Sequence, residues 1–194
     1  MDDPILYWNA VALECNRLDH SVEPARRSQA GPTLSSRSLA ISHLAMHDAY
    51  VLARAGLGTP VARNDPYLRP ALRPAFSARP GSDPARYAAI AVAASASVAL
   101  LYLYPHQRVL VNSRFDDFCE MWGADEAAHR FGSAVGQAIV ALRKDDGATP
   151  DPLEDAEGNE RVDVPRQSSE DRAGEKEAGG EEEQAFGAEP WSEP

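Results

Sequence analysis

The chain has 194 residues, room for one domain with a sizeable core. Its net charge of −11 belongs to one end: Met1 to Lys144 carries 15 basic and 13 acidic side chains, Asp145 to Pro194 only 4 basic against 17 acidic. The near-neutral part has no basic stripe interleaved with aromatics, which argues against a nucleic-acid partner. Asp2 and Asp3 stand where a secretory signal would need a basic n-region, so the cytoplasm is the default expectation for location.

Five segments carry helical periodicity. The first runs from about Pro4 to Asp19, with proline at a first-turn position and Ile5, Trp8, Ala12 and Cys15 on one face. A polar linker, His20 to Ala30, closes at Gly31-Pro32. The second helix is expected to start near Thr33 or Ser35, either of which caps open N–H groups. It runs through Leu39, His43, Met46 and Tyr50 to Ala55, with Gly56 and Gly58 as the stop.

Between Leu57 and Ser82 stand Pro60, Pro66, Pro70, Pro74 and Pro80. That spacing forbids a long helix and predicts an extended connection over the surface. Asp83-Pro84 then combines a cap with a first-turn proline, and a third helix is expected to run to about Tyr104, ended by Pro105. No charged side chain occurs from Tyr87 to Pro105, which is long enough for a membrane span. Its Ala and Ser content favours a core helix approached closely by its neighbours, so no membrane partner is expected.

A fourth helix covers roughly His106 to Trp122, with Val111, Phe115, Phe118 and Trp122 in register. The fifth, Asp125 to Lys144, shows the cleanest stripe: Ala128, Phe131, Val135, Ala138, Ile139 and Leu142. Arg143 and Lys144 suit the negative end of its dipole and Gly147 suits the cap. Short connections between the last three helices favour antiparallel neighbours. The expectation is an all-α bundle of about five helices over residues 1–147, followed by a disordered acidic low-complexity tail over 148–194.

Few residues suggest chemistry. His43 and His47 stand one helical turn apart beside Asp48 and are the candidate metal ligands. A zincin would need Glu where Leu44 stands, and no third ligand is near in sequence. The leading reading is structural, with the imidazoles bonding to backbone or carboxylate neighbours on a buried helix. Ser35 and Ser36 before Arg37 suit a phosphate-binding helix start, although plain caps are the commoner use. Asp116-Asp117 and Asp145-Asp146 diverge on a helix and suit solvated positions, not an acid–base pair. Cys15 and Cys119 lack cationic neighbours in sequence and are expected as buried thiols. Catalytic residues: none.

The segments ILYWNAVALECNR, GPTLSSRSLAISHLAMHDAY and LRKDDG, in that order and spacing, resemble the vanadium-dependent haloperoxidases of the acid phosphatase/haloperoxidase superfamily. The resemblance covers about Pro4 to Gly147. It implies a fold of two helical bundles, the first bracing the second, and peroxide-driven halide oxidation at a vanadate held by the second. It also implies that Pro32 lines the halide and substrate channel as an apolar wall. The HLAMHDAY segment is structural in that family.

The groups that hold vanadate there come from a Lys ahead of Arg-Pro, a Ser-Gly-His, and an Arg ahead of a His. No Ser-Gly-His occurs here, no Arg-Pro follows Lys144 or Lys176, and Arg69-Pro70 and Arg79-Pro80 lie in the proline-rich linker. The expected function is therefore that of the N-terminal structural region of a haloperoxidase-like protein, lacking the vanadate site and inactive alone. Vanadate is the family's cofactor, and none is expected on this chain. The expected partner is a second helical bundle or a complementary chain. The composition break near residue 145 also suits a truncated or frameshifted product. The alternatives are a non-enzymatic helical scaffold or partner-binding module, and a metal-binding helical protein using His43 and His47.

Overall fold

The computed structural model describes residues 3–148 apart from 24–26, 63 and 80. Five α-helices, α1 (Pro4–His20), α2 (Gly31–Gly56), α3 (Pro84–Leu103), α4 (Arg108–Trp122) and α5 (Glu126–Arg143), make an all-α bundle, with no strand among the described residues. Single 3₁₀ turns occur at Pro70–Leu72 and Pro105–Gln107. The expected tail lies, beyond Ala148, outside the described residues.

Three helix starts follow one recipe. Asp3, Asp83 and Asp125 each place a carboxylate on first-turn N–H groups: Ile5 and Leu6 in α1, Ala85 in α3, Ala128 in α5. Helix α2 departs from it. It begins at Gly31, two to four residues before the expected cap, with Pro32 in its first turn and no side chain capping it. Ser35 and Ser36 therefore lie inside the helix, and their hydroxyls donate back to the carbonyls of Gly31 and Pro32 at 2.9 and 2.8 Å.

Helix α3 is the central element. Every residue from Tyr87 to Leu100 except Val98 is buried. Among the described residues it alone is long and apolar enough to cross a membrane, and most of that surface is covered by the other helices.

Its contact with α5 is the closest in the molecule. A Cβ placed on Gly132 would overlap the Ala91 carbonyl oxygen, and one on Gly136 would lie 2.8 Å from the Ser95 carbonyl oxygen. Residue numbers rise together along this seam, so α3 and α5 run parallel, while α4 packs on α3 and α1 and makes little contact with α5, against the expectation of antiparallel neighbours there. Helix α2 runs antiparallel to α3: Ser95 Oγ donates to the Ala45 carbonyl at 2.9 Å, and Ser38 meets Tyr104 further along.

Aromatic rings close the two flanks. On one, Tyr7 and Trp8 of α1 pack on Phe115 and Phe118 of α4, with centroids 5.0–6.4 Å apart. On the other, Phe76 packs on Tyr87 and Phe131, each at 5.4 Å. A Cβ at Gly56 would collide with the Phe76 ring, so a side chain there would dislodge it. The proline-rich connection forms no long helix, as expected, but it is plugged into the core. Leu68 is fully buried and Tyr87 Oη donates to the Ser77 carbonyl at 2.6 Å. One expected core position fails: Leu142 is exposed in the last turn of α5.

Candidate functional site

Polar groups converge around α2, where three clasps bind chain segments distant in sequence. In the first, Asp19 at the end of α1 is buried. Its two carboxylate oxygens accept from the backbone N–H groups of Ser28 and Gln29, each at 2.9 Å. The Gln29 side chain then donates to the Leu103 carbonyl at 2.8 Å, tying the α1–α2 connection to the end of α3. In the second, Asp48 is fully buried in mid-helix and accepts from the backbone N–H groups of Tyr67 and Leu68 at 2.8 and 2.6 Å. This holds the Leu68 plug in place. Each carboxylate replaces lost hydration with two charge-assisted bonds.

The third clasp joins α2 to the end of α5. Arg37 Nε donates to both oxygens of Asp146 at 3.2 and 3.0 Å, and its terminal nitrogen to the Arg143 carbonyl at 2.6 Å. Arg143 also reaches Asp146 at 3.1 Å. The Arg37 guanidinium holds the Asp146 carboxyl below the usual range, aided by the Ala148 N–H and the Arg143 charge. Nearby, the Ser38 and Tyr104 hydroxyls share a hydrogen bond of 2.6 Å, and Tyr104 also donates to Asn16. Burial raises the Tyr104 phenol above its ordinary value.

The other sequence candidates stand apart from this network or at its edge. His43 is exposed, and its Nδ1 donates to the Leu39 carbonyl at 2.8 Å. His47 is partly exposed, and its Nδ1 donates to Asp48 at 3.0 Å. The pair therefore sits on the solvent side of α2, not in a buried ladder, because the apolar stripe of Ile41, Ala45 and Ala49 faces α3. Pro32 is exposed at the start of α2 and lines no enclosed channel within this domain.

Asp116, Asp117 and Asp145 are exposed, as expected. Asp146, just past the end of α5, is exposed as a residue, but its side chain is only 14% exposed because it is paired with Arg37. Cys15 is a buried free thiol that desolvation pushes up to about 12, and Cys119 is free, half-buried and raised for the same reason. Neither presents a thiolate.

The donor set decides what this region can hold. Among the described residues no three His, Cys, Asp or Glu side chains gather as a metal site. A tetrahedral oxyanion such as vanadate needs a free imidazole amid several unpaired cations. Here His43 and His47 each keep one ring nitrogen open, but the Arg37 guanidinium on the same helix is engaged by Asp146 and the Arg143 carbonyl, and the charged group beside His47 is the Asp48 carboxylate. The residues do not fit the group.

Asp19, Arg37 and Asp146 were missed as a set by sequence reasoning, and a signal existed for one of them. A carboxylate in the last turn of a helix opposes the dipole, so Asp19 needed a local reason to be there.

The architecture defines a class: a helical bundle whose buried polar groups hold its own connections. The family model for the vanadium chloroperoxidase N-terminal domain matches residues 2–163. The vanadium chloroperoxidase of Curvularia inaequalis is 52% identical over 46 residues, which are 24% of this chain and 7% of that protein. No solved structure matches the chain. The chain belongs to the vanadium chloroperoxidase N-terminal domain family.

Proposed function

We propose that this chain is a non-catalytic bracing bundle that supports a vanadate-binding helical bundle supplied by another part of a longer protein or by a second polypeptide. The observation that carries the reading is the use of the carboxylates around α2, two buried and one at the surface. Asp19 and Asp48 are consumed by backbone N–H groups, and Asp146 by Arg37. The motif segments that resemble the haloperoxidases thus serve to lock the fold. The halide oxidation named for the relative belongs, on this reading, to the supported bundle, with Pro32 exposed on the side available to it.

Titration of the purified chain with orthovanadate, followed by vanadium-51 NMR, tests the reading together with a halide-oxidation assay. No saturable binding and no turnover are expected. Stoichiometric vanadate binding that His43→Ala or His47→Ala abolishes would overturn it. A metal-binding role for the same histidines is tested by thermal unfolding with zinc. An upward shift lost in His47→Ala would favour it.

A further inference from the structure

Helix α1 packs into the bundle through Trp8, Val11, Ala12, Cys15 and Asp19, all buried. On its opposite side Asp3, Leu6, Ala10, Leu13 and Arg17 are exposed. They recur at alternating steps of three and four residues, the repeat of a helix face that packs on another helix. Leu6 is 68% exposed and Leu13 48%. A single exposed leucine is ordinary on a protein surface. Two in register, with a small residue between them, form a seam that no described part of this chain covers.

The seam has depth on one side. A groove of about 270 Å³ runs beside it, lined by Tyr7, Ala10, Val11 and Glu14 of α1 and by Leu110 and Arg114 of α4. Ala10 belongs to both the seam and the groove, so a helix crossing α1 at Ala10 has room for its side chains alongside. Small residues at a crossing point let helix axes approach to about 8 Å.

Charge says what that helix is. The seam begins at Asp3 and ends at Arg17, with no charged residue between them on that face. Asp3 caps α1 through Oδ1 and leaves Oδ2 to the outside. Arg17 holds Glu14 through Nε and one terminal nitrogen, at 2.8 and 2.7 Å, and its side chain is still 63% exposed. A twofold axis at Ala10 sets a second α1 antiparallel to the first. Leu6 of each copy then meets Leu13 of the other, and Asp3 meets Arg17 at both ends. A parallel pair would set Asp3 on Asp3 and Arg17 on Arg17. A patch that complements itself under twofold rotation is what a closed dimer requires. Exposed ion pairs add little affinity and instead select the orientation.

We infer that the Leu6–Ala10–Leu13 face of α1 is a homodimer interface, its occupant the same face of a second copy packed antiparallel about Ala10. The inference goes beyond the bracing role and does not depend on it.

Sedimentation of the full chain from roughly 1 to 300 μM should show a reversible monomer–dimer equilibrium, as a small interface implies. Leu13→Glu, at an exposed position, should keep the helical circular dichroism and weaken the dimer by about tenfold or more, because it sets a charge in the seam. Orientation is read by cross-linking in a Cys119→Ala background with Cys15 buried. Mixed Leu6→Cys and Leu13→Cys chains should form the mixed disulfide about tenfold faster than either links to its own kind. A monomer over the whole concentration range would overturn the proposal and leave the seam to a different partner. So would a dimer that Leu13→Glu leaves intact, which would place the interface elsewhere. Dominant Leu6–Leu6 and Leu13–Leu13 links would overturn the antiparallel arrangement.

Discussion

Where α5 lies on α3, the helices touch through glycine and backbone carbonyls, and no polar side chain takes part at Gly132 or Gly136. Where the connections cross α2, contact is made by carboxylates and a guanidinium reaching out to backbone groups. The first region tolerates no added atom, because the obstacle is main chain with nowhere to go. The second tolerates a change of volume but not a change of acceptor. A close-packed seam fixes which helices are neighbours, while the clasps fix the paths between them.

The seam is the place to break first. Gly132→Ala pushes a methyl group into the Ala91 carbonyl and should cost about 3 kcal/mol or more, at the upper end of overpacking. Gly136→Ala should cost less, since one of its near neighbours is the Val98 side chain, which can shift. Urea unfolding measures both, and equal losses would contradict the ordering. At the clasps, Asp48→Asn keeps the volume but leaves one of the Tyr67 and Leu68 N–H groups without an acceptor. The expected loss is about 2 kcal/mol, with faster amide hydrogen exchange at Leu68 as the local signature. If exchange at Leu68 were unaffected, the carboxylate would not be what holds the plug.

The seam and the clasps differ as much in how far the sequence revealed them. All five helices were readable, because Asp83-Pro84, Pro105 and the Phe131–Ile139 stripe are local signals with local causes. The start of α2 was misplaced because the serine signal competes with Gly31-Pro32, and the back-bonded hydroxyls of Ser35 and Ser36 leave no mark in composition. Gly132 and Gly136 lie in a helical stripe where each glycine is unfavourable by itself. Their purpose exists only once Ala91 and Ser95 lie opposite. Asp146 looked like a solvated helix end, since its partner Arg37 is distant in sequence. Two of the three motifs that mark the family supply parts of the clasps, Arg37 and Asp48 in the second and Asp146 in the third, while the first contributes Asn16, which accepts from Tyr104, and ends two residues before Asp19. Vanadate chemistry was never legible in them.

A smaller effect is expected at Ser38 and Tyr104, whose hydroxyls share a hydrogen bond. Ser38→Ala and Tyr104→Phe should each cost about 1 kcal/mol. The double variant should cost less than their sum, because the bond between the two hydroxyls is lost only once, while the Ser35 carbonyl and Asn16 lose their donors in the single variants as well. Strict additivity by chemical denaturation would show the hydrogen bond to be unimportant.

The smallest effect, and the one that separates charge from packing, belongs to Arg37 and Asp146. Their ion pair lies near the surface and should contribute no more than about 1 kcal/mol. Its pH dependence is distinctive. Asp146 titrates below the usual carboxylate value of about 3.9. Its contribution is therefore fully present above that value and is lost as pH falls through the depressed one. Arg37→Met removes the shift along with the partner. The stability gap between the parent chain and Arg37→Met should stay constant from neutral pH down to about 4, then narrow on further acidification. A gap that stayed open at the lowest pH would mean that Arg37 holds the end of α5 mainly through the Arg143 carbonyl and its own packing. The clasp would then belong with the seam, as a matter of fit and not of charge.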